Sequence, residues 1–243
     1  MREPSIRWET DPLSERIPDL PVPNPADRWR EVKALREPWR MMAKAGSVAR
    51  QPRGGGRPVM VIPGFTANDA STIPLRAYLG GLGYECRGWG LGVNSGDLPT
   101  QLPQTIERVA SWCAERGEPI ALVGWSLGGV IAREVTRVRP DIVARVITFG
   151  TPLWGPRHTT TSMAGRTDLL PGIEERVLAR NSTRILRPVT AIYSRSDGVV
   201  HWKACVDPDP NTVNIEVTSS HLGLGIDPDV WCIVASTLGA RGG

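Results

Sequence analysis

The sequence predicts an α/β protein whose mostly parallel sheet of about six strands is covered by helices on both faces. Three observations carry this. From residue 58 onward, short apolar runs alternate with segments of helical periodicity. The runs are apolar throughout rather than alternating, as strands buried on both faces must be. The chain has 243 residues, 40% of them hydrophobic, which is enough to enclose one sizeable core. No internal repeat of solenoid type interrupts the pattern.

The elements follow in order. Pro58–Ile62 reads as the first buried strand, then a helix over 71–82 and a strand over 84–88. A helix over 103–117 carries Leu102, Ile106, Val109 and Cys113 along one side. The apolar run 119–124 is a strand that passes directly into a helix over 126–138. Strands at 143–149, 189–193 and 213–217 complete the sheet, and a helix over 228–240 turns Val230, Ile233, Val234 and Leu238 inward. The polar stretch 154–186 lies between two strands and reads as a lid or an excursion.

Residues 1–57 are of another kind. Six prolines in the first 25 residues make a Pro-rich strap that can be neither helix nor central strand. Over 26–45, Trp29, Val32, Leu35, Trp39 and Met42 recur at steps of three and four, a helical stripe that Pro38 should break in two. The burial tendency of Trp and Leu predicts that this stripe packs on the main domain. Its basic flank suggests instead a weak peripheral contact with a membrane or a partner. Arg53–Arg57, with three glycines between, reads as a flexible linker. The resulting division is a strap and amphipathic extension over 1–57 and an α/β domain over 58–243.

Composition excludes several classes. The net charge is +4, with 29 basic and 25 acidic residues, and the surplus falls in 38–56, where Arg40, Lys44, Arg50 and Arg53 meet no acid. That is poor evidence for nucleic-acid binding. No apolar stretch is long enough to span a membrane, and the first residues lack the apolar core of a secretory signal, which reads as a cytoplasmic protein. Four cysteines make no disulfide scaffold, although Cys205 and Cys232 flank the last strand. His201 and Cys205 have a zinc-like spacing without a second ligand pair, so no metal is expected.

The chemistry concentrates at Gly124-Trp125-Ser126-Leu127-Gly128. A G-x-S-x-G match is weak alone, but here an apolar strand runs straight into it and a helix starts at the serine, the context such a turn demands. The competing reading is an ordinary strand–helix turn whose serine caps the helix. With this context, residues 58–240 resemble the α/β-hydrolase superfamily, in particular its lipase and esterase branch. The resemblance implies an acid after the penultimate strand and a histidine after the last, in the order Ser, Asp, His. Asp197 and His221 occupy those places. His201, four residues after Asp197, belongs near the site, and His158 falls in the polar 154–186 segment. Asp207 and Asp209 read as solvated turn carboxylates.

The resemblance further implies two backbone N–H donors for an oxyanion: Leu127, after the nucleophile, and Phe65 in the turn after the first strand, with Thr66 as a substitute. Where lipases usually have His-Gly in that turn, this chain has Pro63-Gly64. Trp89, Leu91, Trp125 and Trp154, with Phe65 and His201, are candidate pocket residues; for Trp125, core packing is an equal alternative. The implied activity is cofactor-free hydrolysis of a small-molecule or lipid ester through a Ser126 acyl-enzyme. An acyltransferase or thioesterase using the same three residues, and a non-catalytic binding protein of this fold, are the other readings.

Overall fold

The computed structural model describes residues 25–154, 180 and 183–240. All but the last residue of the expected strap over 1–25, most of the expected lid, and His158 lie outside these residues. Six strands form one sheet: β1 (Pro58–Ile62), β2 (Glu85–Gly88), β3 (Ile120–Trp125), β4 (Val143–Phe149), β5 (Val189–Ser194) and β6 (Thr212–Val217). Their order is β2-β1-β3-β4-β5-β6, and every pairing is parallel.

The period-two geometry of β1 sorts its side chains into two cores. Val59 and Val61 pack on one side with α3 (Ile73–Gly81) and α6 (Pro228–Gly239), through Leu75, Leu79, Val230 and Val234. Met60 and Ile62 pack on the other with α4 (Leu98–Arg116) and α5 (Leu127–Val138), through Val109, Trp112, Ile131 and Val135. The chain steps outward from β1 to β2, then crosses back to β3 and runs outward the other way. In open parallel sheets a ligand crevice forms at the carboxyl ends of the strands where the order reverses. Here that place lies between the ends of β1 and β3, where Ile62 is opposite Gly124.

Several boundaries differ from the sequence reading, each for a local reason. The helix expected from 103 starts at Leu98, because the Asp97 carboxylate caps it on the Thr100 N–H and Pro99 occupies its first turn, so Pro103 is carried inside. Arg53–Arg57 is no loose linker. The Gly54 and Gly56 N–H groups donate to the Leu82 and Gly83 carbonyls, and a Cβ on Gly54 would collide with Tyr84. Asp207 is no solvated turn carboxylate either: it is buried and ion-paired to the equally buried Arg133 at 2.7 Å. The four cysteines are free thiols.

The largest departure concerns the amphipathic extension. Residues Pro25–Arg36 form a 3-10 helix that gives way, at the expected division, to α1 (Glu37–Ala43) with Pro38 in its first turn, and α2 (Ala45–Ala49) follows. With three residues per turn, Trp29, Val32 and Leu35 are in line and Glu31 lies on a different row. The row that packs inward is not the apolar one. Trp29, Val32, Leu35, Trp39 and Met42 are 66–75% exposed. The inner contacts are polar. Glu37 is buried and accepts from the Ser219 hydroxyl at 2.9 Å, while Arg40 bridges Glu37, Asp227 and Asp229 at 2.6–2.7 Å and Lys44 pairs with Asp229.

The segment is therefore held by its charges and not by its tryptophans. Glu37→Ala, which takes the acceptor from the Ser219 hydroxyl and one of three carboxylates from Arg40, should cost about 1–3 kcal/mol. Leu35→Ser and Trp39→Ser should each change stability by less than about 0.5 kcal/mol. Guanidinium denaturation of the three variants checks the contrast.

Candidate active site

β3 carries the chain into Ser126 with no intervening loop, and the Ser126 N–H donates to the Phe149 carbonyl of the adjoining strand at 2.9 Å. Ser126 has φ 53° and ψ −121°, a backbone region that costs a non-glycine residue about 1–3 kcal/mol. The surrounding packing enforces it. A Cβ on Gly124 would strike the backbone of Gly128 and Gly129, and one on Gly128 would strike the Ile62 and Pro63 carbonyls, so α5 can press against the end of β1 only if both are glycine. The Ser126 side chain makes no capping bond to α5, which removes the reading of this serine as a helix cap.

The turn after β1 faces the serine: a Cβ on Gly64 would lie 3.4 Å from the Ser126 Cβ. Thr66 has φ 62°, and its N–H donates to the Asn94 carbonyl at 2.7 Å, so it is not free for a ligand. Phe65 is exposed. The Leu127 N–H is at the first position of α5, where a helix leaves its amide without an internal acceptor. Asn94, fully buried, secures the turn. Its side chain donates to the Pro63 carbonyl at 2.9 Å and accepts from the Gly96 N–H at 3.2 Å, and its main-chain N–H reaches the Ala67 carbonyl. Sequence reasoning did not single out Asn94, since a loop asparagine carries no pattern.

Asp197 and His221, 24 residues apart and both buried, meet at 2.7 Å between Oδ2 and Nδ1. The other oxygen, Oδ1, accepts from the Val199 and Val200 N–H groups at 2.8 and 2.7 Å, so the carboxylate is locked in its own turn. The imidazole lies 6.1 Å from the ring of Trp125, the residue before Ser126 in the chain, and beside Gly150 at the end of β4. Burial disfavours its protonation, but the Asp197 carboxylate, its hydrogen bond and the Glu31 charge outweigh that and hold the imidazole above its usual range.

The remaining predicted residues are dispersed. Trp89 is fully buried, with Nε1 on the Gly92 carbonyl, and packs with Met60, Ile62 and Leu102; it is a core residue and not a pocket wall, because its loop folds back onto α4. Leu91 is half-buried against the same cluster. Trp125 stacks on Phe149 and faces His221, so it serves the core and the site together. Trp154 is buried among Leu153, Val200, Ala204 and Cys205. His201 lines a cleft with Asp27, Arg30, Asp197 and Trp202, where burial and Lys203 push its pKa down.

One further residue escaped the sequence reading. The Glu31 carboxylate accepts from the N–H groups of His221, Leu222 and Gly198 at 3.0, 2.7 and 2.9 Å. An α-helical period hides it; only the three-residue repeat of a 3-10 helix turns it inward. Among the described residues no cluster of His, Cys, Asp and Glu is arranged to hold a metal ion.

No family model matches the chain, and no characterised protein matches it in sequence. Solved structures do match. Lipase B of Aspergillus fumigatus superposes with a TM-score of 0.62 at 16% identity over 77% of this chain and 54% of that one, so the chain spans about half of that lipase. The mature lipase BlEst2 of Bacillus licheniformis matches with a TM-score of 0.60 at 15% identity, over 79% of this chain and 95% of its own. The mouse α/β hydrolase domain-containing protein 10 matches with a TM-score of 0.54 at 18% identity, over 78% and 92%. What these proteins share with the chain is the path of the backbone rather than the sequence, and by that path it has the α/β-hydrolase fold.

Proposed function

We propose that the protein is a serine hydrolase that cleaves carboxylic esters through an acyl-enzyme on Ser126. The observation that carries this reading is an elbow serine free of any capping bond together with a buried His221–Asp197 hydrogen bond whose imidazole faces Trp125, the residue before that serine. Asp197 accepts the Nδ1 proton of His221, which leaves Nε2 as the basic nitrogen. Nε2 takes the Ser126 hydroxyl proton as Oγ attacks the ester carbonyl. The Leu127 and Phe65 N–H groups stabilise the oxyanion, and collapse expels the alcohol, which receives the proton from His221. Water activated by the same nitrogen then releases the acid and restores the serine.

Purified protein should hydrolyse short- and medium-chain p-nitrophenyl esters and be labelled by a fluorophosphonate probe. Ser126→Ala should abolish labelling and lower kcat by at least about 10⁴-fold; retained labelling would name a different nucleophile. Because the imidazole is held above its usual range, the acid limb of kcat/KM should have its midpoint above about pH 6.5. The base form is lost as pH falls through the raised pKa, so activity rises with pH there. Asp197→Asn removes the main cause, and a limb at higher pH in that variant would contradict the assignment.

The outward face of residues 26–53 supports a partner for the same protein: the surface of an anionic lipid bilayer. Five large apolar side chains stand exposed there, three in line on the 3-10 helix and two on α1. Of the three acids in this stretch, Asp27 is bridged to Arg30, Glu31 is spent on backbone N–H groups and Glu37 is buried, while Arg36, Arg50 and Arg53 are exposed. An apolar face flanked by outward basic charge suits an anionic interface. The protein should co-sediment with phosphatidylglycerol-containing vesicles and be released by salt, and Trp29→Ser/Leu35→Ser/Trp39→Ser should lose binding. Equal binding by that variant, or none by the parent, would refute the contact.

A further inference from the structure

We propose that Glu31 is a positioning residue for the Asp197–His221 pair, so that the N-terminal extension is a working part of the site. This rests on the serine-hydrolase reading for its catalytic consequence, but its geometry stands independently.

Asp197 and His221 sit on separate loops after β5 and β6, and the ladder between those strands ends at Ser194 and Val217, three and four residues before them. Glu31 joins them. Its Oε1 accepts from Gly198, the residue after Asp197, and from His221 itself, and its Oε2 accepts from Leu222. One carboxylate thus bridges both loops with charge-assisted bonds, which are about twice as strong as neutral ones. The two loops are shaped to admit it. A Cβ on Gly198 would collide with the Asp27 carbonyl and stand 3.0 Å from the Glu31 Oε1, so only glycine lets the 3-10 helix approach. A second anchor fixes the same loop from α1, where the Glu37 carboxylate holds Ser219 two residues before His221.

Among the described residues, the charges facing the imidazole are few. Asp197 comes from the β5 loop and Glu31 from the 3-10 helix, with Glu37 one layer out at Ser219. Asp27, Arg30 and His201 lie in the cleft behind Asp197, and Lys33 reaches Ser196 at 3.4 Å. β3 contributes the Trp125 ring, and the end of β4 contributes Gly150. Of these, Asp197 and Glu31 are the anions that favour the imidazolium. Glu31 is therefore placed to act twice, on the distance between the two loops and on the basicity of the histidine.

The test uses the full chain, with Glu31→Gln and Glu31→Ala as variants. Glutamine keeps the shape and one acceptor but removes the charge and faces an N–H with its own amide; alanine removes every bond. NMR titration of the His221 ring comes first, because it needs no activity. The imidazole pKa should fall in both variants, more in Glu31→Ala, with the folded-state spectrum otherwise retained. In steady-state ester hydrolysis, kcat should fall by about 10-fold in Glu31→Gln and ~100-fold in Glu31→Ala, the size expected for misplacing a catalytic group. KM should stay within about 3-fold, since substrate does not touch Glu31. The acid limb should move to lower pH, following the NMR value. An unchanged His221 pKa in folded Glu31→Gln overturns the proposal, and so does a loss confined to KM. If the parent shows neither ester hydrolysis nor probe labelling, the hydrolase reading fails, while the NMR titration still decides whether Glu31 tunes and positions His221.

Discussion

The close approach of α5 to the ends of β1 and β3 is the constraint on which the site depends. Two helix–strand contacts that tolerate no Cβ, at Gly124 and Gly128, force the chain to turn within one residue. That residue, Ser126, is driven into a strained conformation at the point where the sheet order reverses. The strain is small against the burial in the layers around it, where β1, β3, α4 and α5 enclose a continuous apolar cluster. The rigid sheet therefore imposes the serine's position, and the side chain needs no bond of its own to hold it there.

The opposite half of the site is built on other physics. The loops after β5 and β6 pack as well, at Val200 and Leu224, but the residues of the pair are secured chiefly by carboxylates. Asp197 holds its own turn through two N–H groups, and Glu31 and Glu37 hold the His221 loop from outside the sheet. A buried carboxylate that accepts several N–H bonds is favourable only when every acceptor site is used, which is why these loops form a connected polar network and not scattered pairs. Arg40, spanning Glu37, Asp227 and Asp229, extends it to the start of α6.

The N-terminal extension shows how such a network can override hydrophobicity. Burying one large apolar side chain is worth about 1.5–3 kcal/mol, so turning five of them outward is a large forfeit if nothing covers them. The alternative orientation would leave Glu31 without its three N–H donors, and the backbone N–H groups of His221, Leu222 and Gly198 without this acceptor. Polar groups left buried without partners carry penalties of about 1–3 kcal/mol each. The outward face is left apolar and exposed, while the inward face stays with the loops of Asp197 and His221.

The sequence by itself determined the sheet, the elbow and the identities of Ser126, Asp197 and His221 as candidates. Each of these is a local signal: apolar runs of strand length, a glycine–serine–glycine spacing, an acid and a histidine at successive strand ends. It mistook the start of α4, the set of the Arg53–Arg57 turn, the burial of Asp207 and Trp89, and the direction of the amphipathic stripe. Only the tertiary structure decided those, and it alone revealed Glu31 and Asn94. The physical reason is one of range. Periodicity and turn chemistry act between neighbours along the chain, whereas the partners of Glu31 lie 167 to 191 residues away, and a carboxylate has no sequence pattern that announces which distant backbone it will bind.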